Sequence, residues 1–152
     1  MANNVYGIDL GTNNIKIYSK NDDKILMEKN MIAIENKNTV FAYGDSAFDM
    51  YEKAPGNIHI SYPLCKGVIA DIHNMETLIK YFISDMSKGS IKPADYYVAV
   101  PTDVTEVEKR AVQEAALKAG AKEVQVMEES LAAAIGAQIP IHEPAGHMVC
   151  DI

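Results

Sequence analysis

Three short apolar runs open the chain, at Val5–Leu10, Ile15–Tyr18 and Lys24–Met27, separated by the polar stretches Gly11-Thr12-Asn13-Asn14 and Asn21-Asp22-Asp23. Runs of this length bounded by Gly, Asn and Asp predict strands, and links this short predict antiparallel pairing. The pattern then loses its regularity. MIAIE (31–35) and TVFAYG (39–44) predict short strands, and DSAFDMYEKAPGN (45–57) predicts a short helix closed by Pro55 and Gly56. HISYPL (59–64) and KGVIAD (66–71) predict further extended pieces. Residues 33–72 therefore read as an insertion with its own small set of elements.

Beyond the insertion the rhythm becomes regular. Asn74 is a candidate cap for a helix reaching about Met86, with Leu78, Tyr81, Phe82 and Met86 near one face. KGSIKPAD (88–95) reads as a loop and YYVAV (96–100) as a strand stopped by Pro101. Thr105-Glu106-Val107-Glu108 has the spacing of a capping box, in which the threonine hydroxyl and the glutamate carboxylate each satisfy a backbone N–H of the first turn. That helix runs to Lys118 or Ala119, and Gly120 supplies a left-handed stop. EVQVM (123–127) is a further strand, ESLAAAIG (129–136) a short Ala-rich helix, and GHMVCDI (146–152) the start of one more strand. Three antiparallel strands, an insertion, then helix–strand–helix–strand–helix make an α/β layer on a mixed sheet.

The composition narrows the class of partner. Apolar residues make up 48% of the 152 and charged residues 23%, as in an ordinary globular protein. A net charge of −7 excludes a nucleic-acid backbone as the main partner. No apolar stretch is long enough to span a bilayer, and the first residues, MANNVYG, have neither a basic nor an apolar leader region, so a cytoplasmic protein is expected. Cys65 and Cys150 are expected as reduced thiols in the core. His142 and His147 flank a Pro-Ala-Gly turn and are expected at the surface.

Candidate chemistry lies in two places. Gly11-Thr12-Asn13-Asn14 has no large side chain and offers backbone N–H groups, as a segment approaching an anion requires. Asp9 just before it would repel bare phosphate but attract a phosphate-bound Mg²⁺, directly or through water, and Lys16 adds a positive charge. A plain hairpin with a polar turn fits the same residues, and both readings stand open. Glu128 and Glu129 sit where a strand passes into the Ala-rich helix. They complement the helix dipole, or one of them orients a water for attack on a phosphate.

GIDLGT (7–12), PLCKGVIADIHNMETLIKYFI (63–83) and VPTDVTEVEKRAVQEAALKAGAKEVQVMEESLAAAIG (100–136) together resemble the actin/Hsp70/sugar-kinase superfamily, and within it the MreB/Mbl family of bacterial actin homologues. The resemblance implies an RNase H-like actin-type ATPase fold that binds ATP and Mg²⁺. It implies that Asp9 and Asp151 act on Mg²⁺ through water, that Gly11, Thr12, Asn13, Asn14 and Lys16 lie along the phosphates, and that Glu129 is the hydrolytic carboxylate. It assigns residues 1–32 and 73–147 to subdomain IA, 33–72 to subdomain IB, and 148–152 to the truncated start of the second half. The family usually has Thr-Ala-Asn-Thr at the turn and proline after the glutamate; here Thr12-Asn13-Asn14-Ile15 and Ser130 stand there. Its second phosphate loop reads Asp-Ile-Gly-Gly-Gly-Thr, and the chain ends at Asp151-Ile152. The resemblance further implies filaments by self-association, a role in rod cell shape with cell-wall synthesis and membrane proteins as partners, and weak membrane contact through Lys88, Ile91 and Lys92. The 152 residues alone are expected to bind ATP weakly or not at all, to show no measurable hydrolysis, and to expose apolar surface where a family helix would pack.

Overall fold

The structure, a computed structural model, describes residues 4–89 and 92–150. The three opening runs form β1 (Asn4–Leu10), β2 (Asn14–Ser19) and β3 (Lys24–Lys29), an antiparallel meander with Leu10 opposite Ile15 and Ile15 opposite Glu28. The irregular middle forms β4 (Ile32–Glu35), β5 (Thr39–Tyr43), α1 (Asp45–Asp49) and β6 (Ile58–Ser61). Strands β5, β4 and β6 make a separate three-stranded sheet around a small core of Met31, Ala33 and Ala47. The next two extended pieces are the arms of one hairpin, β7 (Leu64–Cys65) and β8 (Val68–Ile69), joined by Lys66-Gly67. Both turn residues have positive φ, 53° and 77°, as a two-residue hairpin matched to strand twist requires.

The regular half follows as α2 (Ile72–Met86), β9 (Ala94–Val100), α3 (Glu106–Lys118), β10 (Ala121–Glu128) and α4 (Glu129–Gly136). β9 runs parallel to both β1 and β10, so the main sheet has the mixed order β10-β9-β1-β2-β3. Along β1 and β9, alternate residues Tyr6, Ile8, Leu10, Ala94, Tyr96, Val98 and Val100 point into one core. There they meet Met75, Leu78, Ile79, Phe82 and Ile83 of α2 and Val112, Ala115 and Ala116 of α3. Burial, and secondarily the neighbouring Tyr6, pushes the Tyr96 hydroxyl up to about 12, so it stays protonated. On the opposite face of the sheet Tyr18, Ile25, Met27 and Tyr97 are exposed, and Tyr18, Ile25 and Tyr97 border a shallow apolar cleft with Ala132 of α4.

Four expectations change. The cap of α2 is Asp71: its carboxylate accepts from the Asn74 backbone N–H at 3.0 Å and from the Asn74 side chain at 2.8 Å, so the helix starts before Asn74. Tyr81 sits at the rim of the core, stacked on Tyr43 with centroids 4.7 Å apart, while Ile79 and Ile83 take the buried face. Both cysteines are exposed: strand alternation turns Cys65 outward beside the inward, buried Leu64, and Cys150 lies in a segment without regular structure. Residues 146–150 form no strand, since no described strand offers them a ladder. Asp151 and Ile91 lie outside the described residues. His142 and His147 are exposed as expected, and Gly120 closes α3 at φ 113°.

The capping box forms as its spacing predicts: the Thr105 N–H donates to Glu108 Oε2 at 2.6 Å, and the Glu108 N–H donates to Thr105 Oγ1 at 3.3 Å. Thr105→Ala is expected to lower stability by about 1 kcal/mol in urea unfolding. The backbone N–H of Thr105, followed by its hydroxyl, holds the Glu108 carboxyl below its ordinary value of 4.5. A lowered folded value means that this contribution is complete above pH 4.5 and disappears as the pH falls through the folded value. The stability gap between wild type and Glu108→Gln should therefore narrow on acidification below that pH; a gap constant with pH would remove the carboxylate from the cap.

Candidate functional site

Parallel strands bring their C-terminal ends to one edge of a sheet, and crevices in open α/β sheets form there. In this chain β1 ends at Asp9-Leu10, β9 at Val100 before Pro101, and β10 at Glu128 before Glu129. The register sets Asp9 beside Ala99 and Glu128 beside Val100, which brings residues more than a hundred positions apart in sequence to the same edge.

A cleft of about 590 Å³ opens at that edge, lined by Asp9, Leu10, Gly11, Thr12, Asn13, Asn14, Lys16, Lys66, Gly67, Pro101 and Glu129. Every site residue that the resemblance implies is on it except Asp151, which lies outside the described residues. Gly11 is required by space: a Cβ there would run into the Asn14 carbonyl oxygen. Among the turn and loop hydrogen bonds of the described residues, the Thr12 and Asn13 N–H groups donate to no backbone carbonyl, whereas the carbonyls of both accept. Those acceptors face inward, and the exposed Thr12 and Asn13 stay on the open side.

Asn30 organises this turn. Its side chain is wholly buried and its amide donates to the Thr12 carbonyl at 2.9 Å and the Leu64 carbonyl at 2.7 Å, while its backbone N–H donates to the Asn13 carbonyl at 3.0 Å. One residue thus ties the turn both to the end of the meander and to the β7–β8 hairpin. Lys16 stands opposite Asp9 in the ladder, and its ammonium meets the Asp9 carboxylate at 3.1 Å. The pair is partly exposed, so it contributes at most about 1 kcal/mol, and a charged ligand can exchange its partners at little cost.

Glu129 is the first residue of α4, and the helix starts there with Ser130 following it. The Ser130 hydroxyl lies 3.4 Å from that of Thr102, which joins the first turn of α4 to the loop after β9. Glu128, the other sequence candidate, is exposed and does not line the cleft. Lys66, Gly67 and Pro101 are cleft residues that the sequence reading passed over. The available signal was Lys-Gly between two short apolar pairs, which marks a hairpin tip. A larger cavity of about 730 Å³ lies between the β5-β4-β6 sheet and the start of α2, away from this edge.

The residues fit a magnesium nucleotide. Phosphate-bound Mg²⁺ is usually held by one or two carboxylates together with the phosphates, and Asp9 supplies one carboxylate beside the turn. Among the described residues no group of three or more acidic, His or Cys side chains forms an all-protein metal cage. The cleft volume lies within the range of small-ligand sites, about 300–1,000 Å³.

Comparison with known proteins gives one consistent relationship. Residues 3–152 match the family described as MreB/Mbl protein. The chain is 42% identical to the cell shape-determining protein Mbl of Bacillus subtilis (strain 168), covering 96% of this chain and 44% of that one. It is 41% identical to the cell shape-determining protein MreB of Escherichia coli (strain K12), covering 100% of this chain and 46% of that one. The crystal structure of MreB 5 of Spiroplasma citri bound to AMPPNP superposes with a TM-score of 0.86 at 37% identity, over 97% of this chain and 45% of that one. The mixed α/β fold is the actin-like one, and the chain spans about half the length of the curated relatives it matches.

Removal of the Asn30 amide leaves two carbonyls without their donor. Asn30→Ala is expected to lower stability by about 2–4 kcal/mol in chemical denaturation. A loss below about 0.5 kcal/mol, the scale of a neutral surface change, would show that the turn and the hairpin hold their places without it.

Proposed function

The chain belongs to the MreB/Mbl family, and from that premise we propose that the protein is an actin-like ATPase that polymerises into filaments directing rod cell shape and cell-wall synthesis. The observation that carries this reading is the meeting of the Asp9–Asn14 turn and Glu129 on one cleft at the C-terminal edge of parallel strands.

In this reading the substrate is ATP with Mg²⁺. The backbone N–H groups of the turn bind phosphate oxygens, and Gly11, where a Cβ would collide with the Asn14 carbonyl, permits the tight turn that presents them. Asp9 would hold Mg²⁺ through water, and Lys16, paired with Asp9 at 3.1 Å, would exchange that partner for the phosphates. Mg²⁺ held there would supply charge neutralisation at the phosphate oxygens. Glu129 accepts a hydrogen bond from the attacking water and aims it at the terminal phosphorus. The facing half of the whole protein closes the cleft and supplies the adenosine pocket. Residues 1–32 and 73–147 act as subdomain IA, and 33–72 as the inserted subdomain IB with its own sheet. Residues 148–152 start the second half.

We place the filament in the cytoplasm, at the inner face of the membrane, working with cell-wall synthesis proteins. Among the described residues no helix is long and apolar enough to cross a membrane. Lys88 and Lys92 border the loop that offers weak contact to an anionic surface.

Glu129→Ala in the whole protein should lower ATP hydrolysis by about a hundredfold or more while nucleotide binding survives, because the carboxylate orients water and does not hold the nucleotide. Phosphate release and calorimetry measured together test this. Unchanged turnover in the variant would remove the hydrolytic role from Glu129.

A further inference from the structure

The geometry points to Lys66 as a contact for the terminal phosphate of the bound nucleotide, an assignment that rests on the ATP-site reading above. Among the described residues two cationic side chains line the cleft, Lys16 and Lys66. Lys16 is engaged with Asp9 at 3.1 Å. Lys66 forms no ion pair or hydrogen bond with any other described residue and is exposed to the open cleft. An ammonium that shares the cleft with the carboxylates of Asp9 and Glu129 and pairs with neither remains available to a polyanion.

Its position along the cleft selects the terminal phosphate. The hairpin tip lies against Pro101: a Cβ added at Gly67 would come 3.1 Å from Pro101 Cγ. Pro101 and Glu129 also border a small adjoining cavity of about 170 Å³, so Lys66 and Glu129 occupy neighbouring ground across that proline. A carboxylate that aims water at the terminal phosphorus has to stand beside the phosphate being attacked, and Lys66 enters from the same side. The turn conformation fixes the approach. With φ of 53° at Lys66 and 77° at Gly67 the tip is a tight two-residue loop, and the Asn30 amide on the Leu64 carbonyl anchors its base at 2.7 Å. Lys66 thus contributes charge from the inserted segment to a site otherwise built on the main sheet, and it pairs with a phosphate that only the triphosphate state carries.

The test uses the full-length protein and two probes, Mg-AMPPNP and Mg-ADP, titrated calorimetrically against wild type, Lys66→Gln and Lys66→Arg. Lys66→Gln is expected to weaken AMPPNP binding by about tenfold, the scale of one charge-assisted hydrogen bond. ADP binding should stay within about twofold, and Lys66→Arg should restore AMPPNP binding, because the charge carries the effect. An unchanged thermal melt of Lys66→Gln confirms that the exposed substitution leaves the fold intact. Equal weakening for both nucleotides, or none for either, overturns the terminal-phosphate assignment while leaving the ATP site standing. Wild-type protein that binds neither nucleotide overturns the ATP-site reading and the Lys66 assignment with it.

Discussion

The buried amide of Asn30 is the interaction on which the arrangement of this molecule depends. It lies where the meander ends and the inserted segment begins, and its two side-chain N–H groups reach carbonyls in both directions, Thr12 in the turn and Leu64 in the hairpin. Its carbonyl oxygen finds no partner among the described residues. A buried polar side chain with one unsatisfied atom carries a penalty, and it persists where the bonds it does make have no apolar substitute. Here an apolar residue would fill the space and leave Thr12 and Leu64 to solvate their carbonyls in the interior.

The clamp lets a turn with no side-chain core of its own keep one conformation. Gly11-Thr12-Asn13 contributes no residue to either hydrophobic cluster. Its shape is set by Gly11 against the Asn14 carbonyl and by two hydrogen bonds from Asn30. With the carbonyls of Thr12 and Asn13 held inward, the exposed side of the turn is left with donors, the complement of an anion. The main sheet then divides its labour by face. One face is filled by α2 and α3, while Asp9 and Lys16 fall on alternate positions and so project to the side away from that core.

Much of this was legible in the linear pattern. Period-two alternation in β1 and β2, the Thr105–Glu108 spacing and the glycine stop at Gly120 each act within a few residues, so local chemistry alone specifies them. The candidate residues were legible for a related reason: a turn without side chains beside an acid, and a carboxylate at a strand–helix junction, are both local signatures. The cap of α2 was misplaced because Asn74 and Asp71 are both good caps, and the two-residue hairpin that precedes Asp71 sets the start of the helix. The cysteines were misread because burial belongs to a neighbourhood: Leu64 takes the inward position of its two-residue strand, and alternation turns Cys65 outward.

The sequence by itself determined the elements, their order and the identity of the groups able to meet a phosphate, since strand, helix and turn preferences are settled by neighbours along the chain. Only the tertiary structure decided that Asp9 and Glu129 share a cleft, that Lys66 and Pro101 join them, and that Asn30 holds the parts together. The parallel register of β1, β9 and β10 brings those strand ends to one edge, and such long-range pairing leaves no mark at any single position of the chain.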